Sequence, residues 1–271
     1  MDAASPTAAT PRRPRQFLTA VRGPRLSLPR LGASWLDSAV SDPELTPKRQ
    51  LVRAAERLFA RQGLEGVSLR EIGAAAGNAN NSAVRYHFGS KDRLVRAIFE
   101  DRLGGLEERR RILMDERRPV DVRGWVECQV MPILEQGERP GSHYLSFLAT
   151  VMQSHDHVLS EWISDEQQRS TQAFLVHLEH LLSGLPPALL RHRVVMVLHL
   201  SVYATADRER DREQGRAVLP FAIHSANLID ALVGCLQAPA STAALQALAA
   251  AGPLSSSWTT LPGGPPSAGS Q

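Results

Sequence analysis

Apolar residues recur at helical spacing through the middle of the chain, and no stretch alternates as a half-buried strand would. The first periodic run places Leu51, Ala55, Leu58 and Phe59 on one stripe, with Thr46 as N-cap, Pro47 at the first helical position and Gly63 as the stop. A second run opens with the capping box Ser68-Leu69-Arg70-Glu71, packs through Leu69, Ile72 and Ala75, and ends at Gly77. A short third helix is predicted over about 81–88, capped by Asn80 or Asn81 and closed by Gly89. Ser90 caps a long fourth helix with apolar positions Leu94, Val95, Ile98, Phe99, Leu103 and Leu106. Further helices are expected at about 119–136, 142–154, 157–183, 187–213 and 219–237. The fold class is therefore all-α, a small N-terminal head of three helices followed by a helical bundle, with no internal repeat.

Both ends lack this periodicity. Residues 1–45 hold six prolines and read as a disordered Arg/Pro-rich arm. Residues 238–271 are rich in Ala, Gly, Pro and Ser and read as a disordered tail, with a short helix over Thr242–Ala251 as an alternative. The head then spans 46–92 and the bundle 93–237.

Charge sharpens the division. The net charge is only +3, but residues 46–100 carry ten basic and five acidic side chains, whereas those after them carry fifteen and nineteen. A basic head on an acidic body suits a polyanion partner for the head alone. The two cysteines, Cys128 and Cys235, lie far apart, which points to a reducing interior and against a disulfide scaffold. The longest apolar stretch, Val194 to Ala206, is thirteen residues, and a membrane helix needs about 20. The N-terminus lacks the apolar run of a secretory signal. No nucleophile–base pair, phosphate loop or carboxylate pair stands at a telling spacing, so no catalytic residues and no enzyme are expected. His155-x-His157 and His177-x-x-His180 have no cysteine nearby, and neither a metal nor a cofactor is expected.

Helices two and three have the composition of a helix-turn-helix. Ala74, Ala75, Ala76 and Gly77 permit a close crossing, while the third helix offers Asn81, Ser82, Arg85, Tyr86 and His87 to a DNA groove and turns Val84 and Phe88 inward. Residues 46–100 resemble the DNA-binding domain of tetracycline-repressor (TetR) type regulators. The resemblance lies in Ala54-Ala55-x-x-Leu58-Phe59-Ala60-x-x-Gly63, in Gly66-Val67-Ser68-Leu69-Arg70-Glu71-Ile72, and in Tyr86-His87-Phe88-Gly89-Ser90-Lys91-Asp92-x-Leu94. The run from Gly77 to Tyr86 is one residue longer than the commonest spacing, because Asn78-Ala79-Asn80-Asn81 fills the turn. The resemblance implies base or phosphate contacts for Arg70, Asn80, Asn81, Ser82, Arg85, Tyr86 and His87, a phosphate contact for Lys91, and a hydroxyl contact for Ser68 beside its capping role. Arg53, Arg57 and Arg61 supply only general positive field.

For the body the resemblance implies a ligand-binding and dimerisation domain. The homodimer is expected through helices 187–213 and 219–237, using Val194, Val197, Leu198, Ser201, Val202 and Thr205 on the first and Phe221, His224, Leu228, Ala231, Leu232 and Cys235 on the second. Candidate walls for a small-molecule effector are Trp125, Met131, Tyr144, Phe147, Met152, Trp162, Phe174, His199 and Tyr203. Asp207 to Glu213 reads as a solvated helix end. Gly104-Gly105 marks a weak point in the fourth helix, a break, or a close packing contact. The implied function is a cytoplasmic, prokaryotic, nucleoid-associated regulator: a ligand-released repressor on a palindromic operator in double-stranded DNA. The alternative is an effector-free or architectural DNA binder that uses its basic arm.

Overall fold

The computed structural model describes residues 46–77, 83–162 and 165–251. The arm of residues 1–45, the turn residues Asn80, Asn81 and Ser82, and the tail beyond 251 lie outside the described residues, as do the side chains of His155, His157 and Trp162. The described residues form ten helices and no strand: α1 Pro47–Gln62, α2 Leu69–Ala75, α3 Ala83–Phe88, α4 Lys91–Arg117, α5 Val122–Glu138, α6 Tyr144–Trp162, α7 Asp165–Leu181, α8 Pro187–Glu213, α9 Phe221–Gln237 and α10 Thr242–Ala251. Among them no single helix is long and apolar enough to cross a membrane.

The caps account for the boundaries of the head. Thr46 accepts from the Arg49 N–H, and Gly63 and Gly89 take left-handed φ values of 76° and 74° that favour glycine. Both bonds of the Ser68–Glu71 capping box are present. In α2 the buried residues are Ile72 and Gly73, Leu69 is partly buried, and Ala75 faces solvent instead of the core. Helix α4 runs unbroken through Gly104-Gly105, where an added Cβ would meet nothing within 4 Å, so neither a break nor close packing explains the pair. Helix α6 continues to Trp162, past the break expected after residue 154, and Pro132 lies inside α5.

Helix α10 forms within the stretch read as a tail, and none of its residues is buried. The preceding link is tied to α8 by Arg193, which donates to the carbonyls of Leu236 (3.1 Å), Ala238 and Pro239 (3.5 Å).

Two apolar clusters hold the described helices together. One lies around α5, α7, the first half of α8 and α9, with Val126, Phe174, Leu178, Val194 and Leu232 at its centre. The other joins Leu51, Phe59, Ile72, Val84 and Phe88 of the head to Phe99, Tyr144, Phe147, Val202 and Ala206. The head therefore has no core of its own: the Phe59 and Phe147 rings lie 6.3 Å apart across it.

Buried polar groups fix the same joint. Glu56 of α1 accepts from Arg102 of α4 at 2.7 and 2.8 Å and from the backbone N–H of His143 at 3.0 Å. Glu209 of α8 accepts from the Ser146 N–H at 2.8 Å. The start of α6, where N–H groups lack helical partners, is thus gripped by carboxylates from both sides. Arg208 and Glu209 are buried, which overturns the reading of 207–213 as a solvated end. Arg61, expected only to add positive field, pairs with Glu213 of the body.

Candidate nucleic-acid interface and internal cavity

Helix α3 owes its orientation to Val84 and Phe88, both buried four residues apart, which leaves Arg85, Tyr86 and His87 exposed. Tyr86 keeps 85% of its surface in solvent, far more than packing a large ring would leave. Its ring meets that of His87 edge-on at 5.1 Å. Arg70 and Ser68 are also exposed. The Ser68 hydroxyl accepts from the Glu71 N–H at 3.2 Å, so its capping role is occupied. Lys91 is half-buried, and its ammonium donates to the Leu64 carbonyl at 2.8 Å, which ties the loop before α2 to the start of α4. An ammonium has three donors, so this bond leaves Lys91 further donors for a phosphate.

His87 also borders a polar cleft with Lys48, Arg93 and Arg96. These three cations were not singled out from the sequence. The signal was the pair of arginines in the first turns of α4, three residues apart. Lys48 sits 5.8 Å from the Phe88 ring centroid, in cation–π range.

Within the body a cavity of about 100 Å³ is lined by α4 (Phe99, Leu103, Leu106, Arg110), α5 (Gln129, Ile133), α6 (Tyr144, Leu145, Leu148, Met152), α7 (Thr171) and α8 (Leu198, His199, Val202). Of the nine sequence candidates, Tyr144, Met152 and His199 are on this wall. Tyr203 packs against the head-containing cluster and meets His199 edge-on at 6.3 Å. Phe147 is core, against Phe59 and Phe99. Met131 and Phe174 belong to the other cluster, and Trp125 stacks on His177 at 3.8 Å beside it. Apolar residues at helical spacing look alike whether they line a cavity or fill a core, which is why the candidates scattered.

The polar wall residues Arg110, Gln129 and Thr171 escaped the sequence reading. For Gln129 there was a signal, an amide between Cys128 and Val130 in an apolar helix. Gln129 is 1% exposed, and its Oε1 has no hydrogen-bond partner among the described residues. Arg110 pairs with Glu107 and lies 3.3 Å from the Ser170 hydroxyl. Burial pushes the Tyr144 phenol up, so it stays protonated.

The expected dimer stripes are largely used inside the chain. Val194, Val197, Ser201, Val202 and Thr205 are buried, as are Leu228 and Leu232. The outward faces carry Met196 and Leu200 on α8 and Ile223 on α9, none of them in the expected stripes, together with Ala231, which was expected there.

Residues 51–98 match the family model "Bacterial regulatory proteins, tetR family", and residues 127–238 match "Tetracyclin repressor-like, C-terminal domain". The chain belongs to the TetR family. A TetR-family regulator is a DNA-binding transcription regulator, and α2 with α3 are its helix-turn-helix. No curated protein matches the chain. Among solved structures it is similar to the fatty acid degradation regulator FadR from Bacillus halodurans, at 17% identity and a TM-score of 0.48, covering 72% of this chain and 98% of that one. It is also similar to NalD, the secondary repressor of the MexAB-OprM multidrug efflux pump in Pseudomonas aeruginosa, at 19% identity and a TM-score of 0.44, covering 69% and 94%.

Proposed function

We propose that this TetR-family regulator is a one-component repressor that binds a palindromic operator as a homodimer and leaves it when a small molecule enters the cavity. The observation that carries the reading is the continuity between Tyr144 and its neighbour. Tyr144 lines the cavity, and the adjoining His143 N–H is held by Glu56 of the head. A molecule that displaces the start of α6 therefore pulls on α1, and the effect of effector on operator affinity equals that of operator on effector affinity, typically about 1–3 kcal/mol.

In this reading Arg85, Tyr86 and His87, with Asn80, Asn81 and Ser82 before them, face base edges and phosphates. Arg70, Lys91 and Ser68 add contacts to the backbone. Met196, Leu200 and Ile223 are exposed apolar side chains on two successive helices, and a two-fold contact between copies covers them. Such a dimer spaces its reading helices by about 34–36 Å, one turn of DNA.

The test is selection of binding sites from random DNA by the purified full chain, repeated at two salt concentrations. A recovered palindrome preferred by about 10³ or more over random DNA supports the regulator. Uniform, steeply salt-dependent binding would replace it with an architectural role.

A further inference from the structure

We infer that the cavity takes a neutral, compact apolar molecule carrying one hydrogen-bond donor, a hydroxyl or N–H, which meets the amide oxygen of Gln129. The inference rests on the reading of this cavity as the effector site and names the chemistry that fills it.

Three observations lead there. The first is the buried acceptor: Gln129 lines the cavity, and its Oε1 is out of solvent with no partner among the described residues. An unmet buried acceptor is costly, and a ligand donor removes the penalty. The second is charge. The guanidinium on the described wall, that of Arg110, is paired with Glu107, and both side chains are buried. An anionic ligand would have to lose its hydration beside the Glu107 carboxylate, so the local balance favours a neutral one. The third is size. The remaining wall is mostly Phe, Leu, Ile, Met and Val, and about 100 Å³ approaches the space that one aromatic ring occupies.

Phenol, toluene and benzoate separate these features, since they share a ring and differ in donor and charge. Their dissociation constants are measured by calorimetry on the full chain and on Gln129→Leu, a substitution of similar volume that leaves no buried acceptor. Phenol is expected to bind the wild type more tightly than benzoate, and Gln129→Leu to lower the phenol-over-toluene affinity ratio by about tenfold. An unchanged ratio, or benzoate binding tightest, overturns the ligand class and leaves the cavity as the effector site. Absence of binding by all three probes overturns both. Should Gln129→Leu fail to fold, Gln129→Met makes the same comparison.

Discussion

Glu56 and Arg102, forty-six positions apart in sequence, form a doubly hydrogen-bonded ion pair with 1% and 4% of their surfaces exposed. Burial alone would pull the Arg102 guanidinium down, but the charge and hydrogen bonds of Glu56 outweigh it and hold Arg102 above its ordinary value. The same carboxylate holds the His143 N–H, so one side chain joins α1, α4 and the start of α6. Glu56→Gln leaves the buried Arg102 with only the more distant carboxylate of Asp101, at 4.0 Å, as counter-charge, and is expected to destabilise the chain by about 3 kcal/mol. A urea midpoint within error of wild type would show that the pair is not what holds this joint.

Glu209 predicts a pH dependence. Burial raises its carboxyl to about 7 from an ordinary value of 4.5, against the hydrogen bonds from Ser146. Between those two values the folded chain keeps a proton that the unfolded chain has lost. The stabilisation is fully present below 4.5 and is lost as pH rises through about 7, up to about 3 kcal/mol in all. Urea midpoints at pH 5.5 and 8 should differ less in Glu209→Gln than in wild type. Equal differences would contradict the assignment.

Arg85 and Lys91 should fail differently on the operator. Arg85→Ala is expected to cost about 1–3 kcal/mol and to relax sequence preference, as loss of a base contact does. Lys91→Ala is expected to weaken binding to every sequence, to flatten the salt dependence by about one charge, and to lose about 1 kcal/mol of fold stability with its bond to Leu64. Equal loss on all sequences for Arg85→Ala would make it a phosphate contact instead.

Gly104 and Gly105 are exposed inside a continuous helix with open space around them. Replacing both with alanine should stabilise the chain by about 1.6–2 kcal/mol. If effector-driven release weakens in the same variant, helix α4 yields at this point during signalling. Unchanged release would leave the glycines without that role.

Leu200 bears on assembly. It points away from both cores, so Leu200→Glu should leave the melting of the isolated chain nearly unchanged while weakening self-association by about two orders of magnitude. Sedimentation equilibrium at micromolar concentration distinguishes this from a chain that was monomeric throughout.

The head was legible because its signals are local. Thr46, Ser68 and Ser90 each cap a helix within three residues, and Gly63, Gly77 and Gly89 end one with a positive φ. The inward pair Val84 and Phe88 followed from spacing alone, and so did the exposed face of α3. The cavity was not legible in this way. Its wall draws on five helices, and whether Met131 or Met152 reaches it depends on how those helices pack, which periodicity does not encode. Burial of Glu56, Arg102 and Glu209 was hidden for a related reason. A charged residue on a helix reads as solvated until its partner, dozens of positions away, is known.

The shared core between α1 and α6 limits how far the two halves are interchangeable. Family boundaries suggest cutting after the head and grafting it onto another body. In this chain such a graft exposes Phe59, which now lies against Phe147, and strips the His143 N–H from Glu56. A working chimera must carry 143–147 along with the head, or supply an aromatic ring and a backbone donor at the same places. New operator specificities are more simply obtained by rewriting the outward face of α3 in the intact chain.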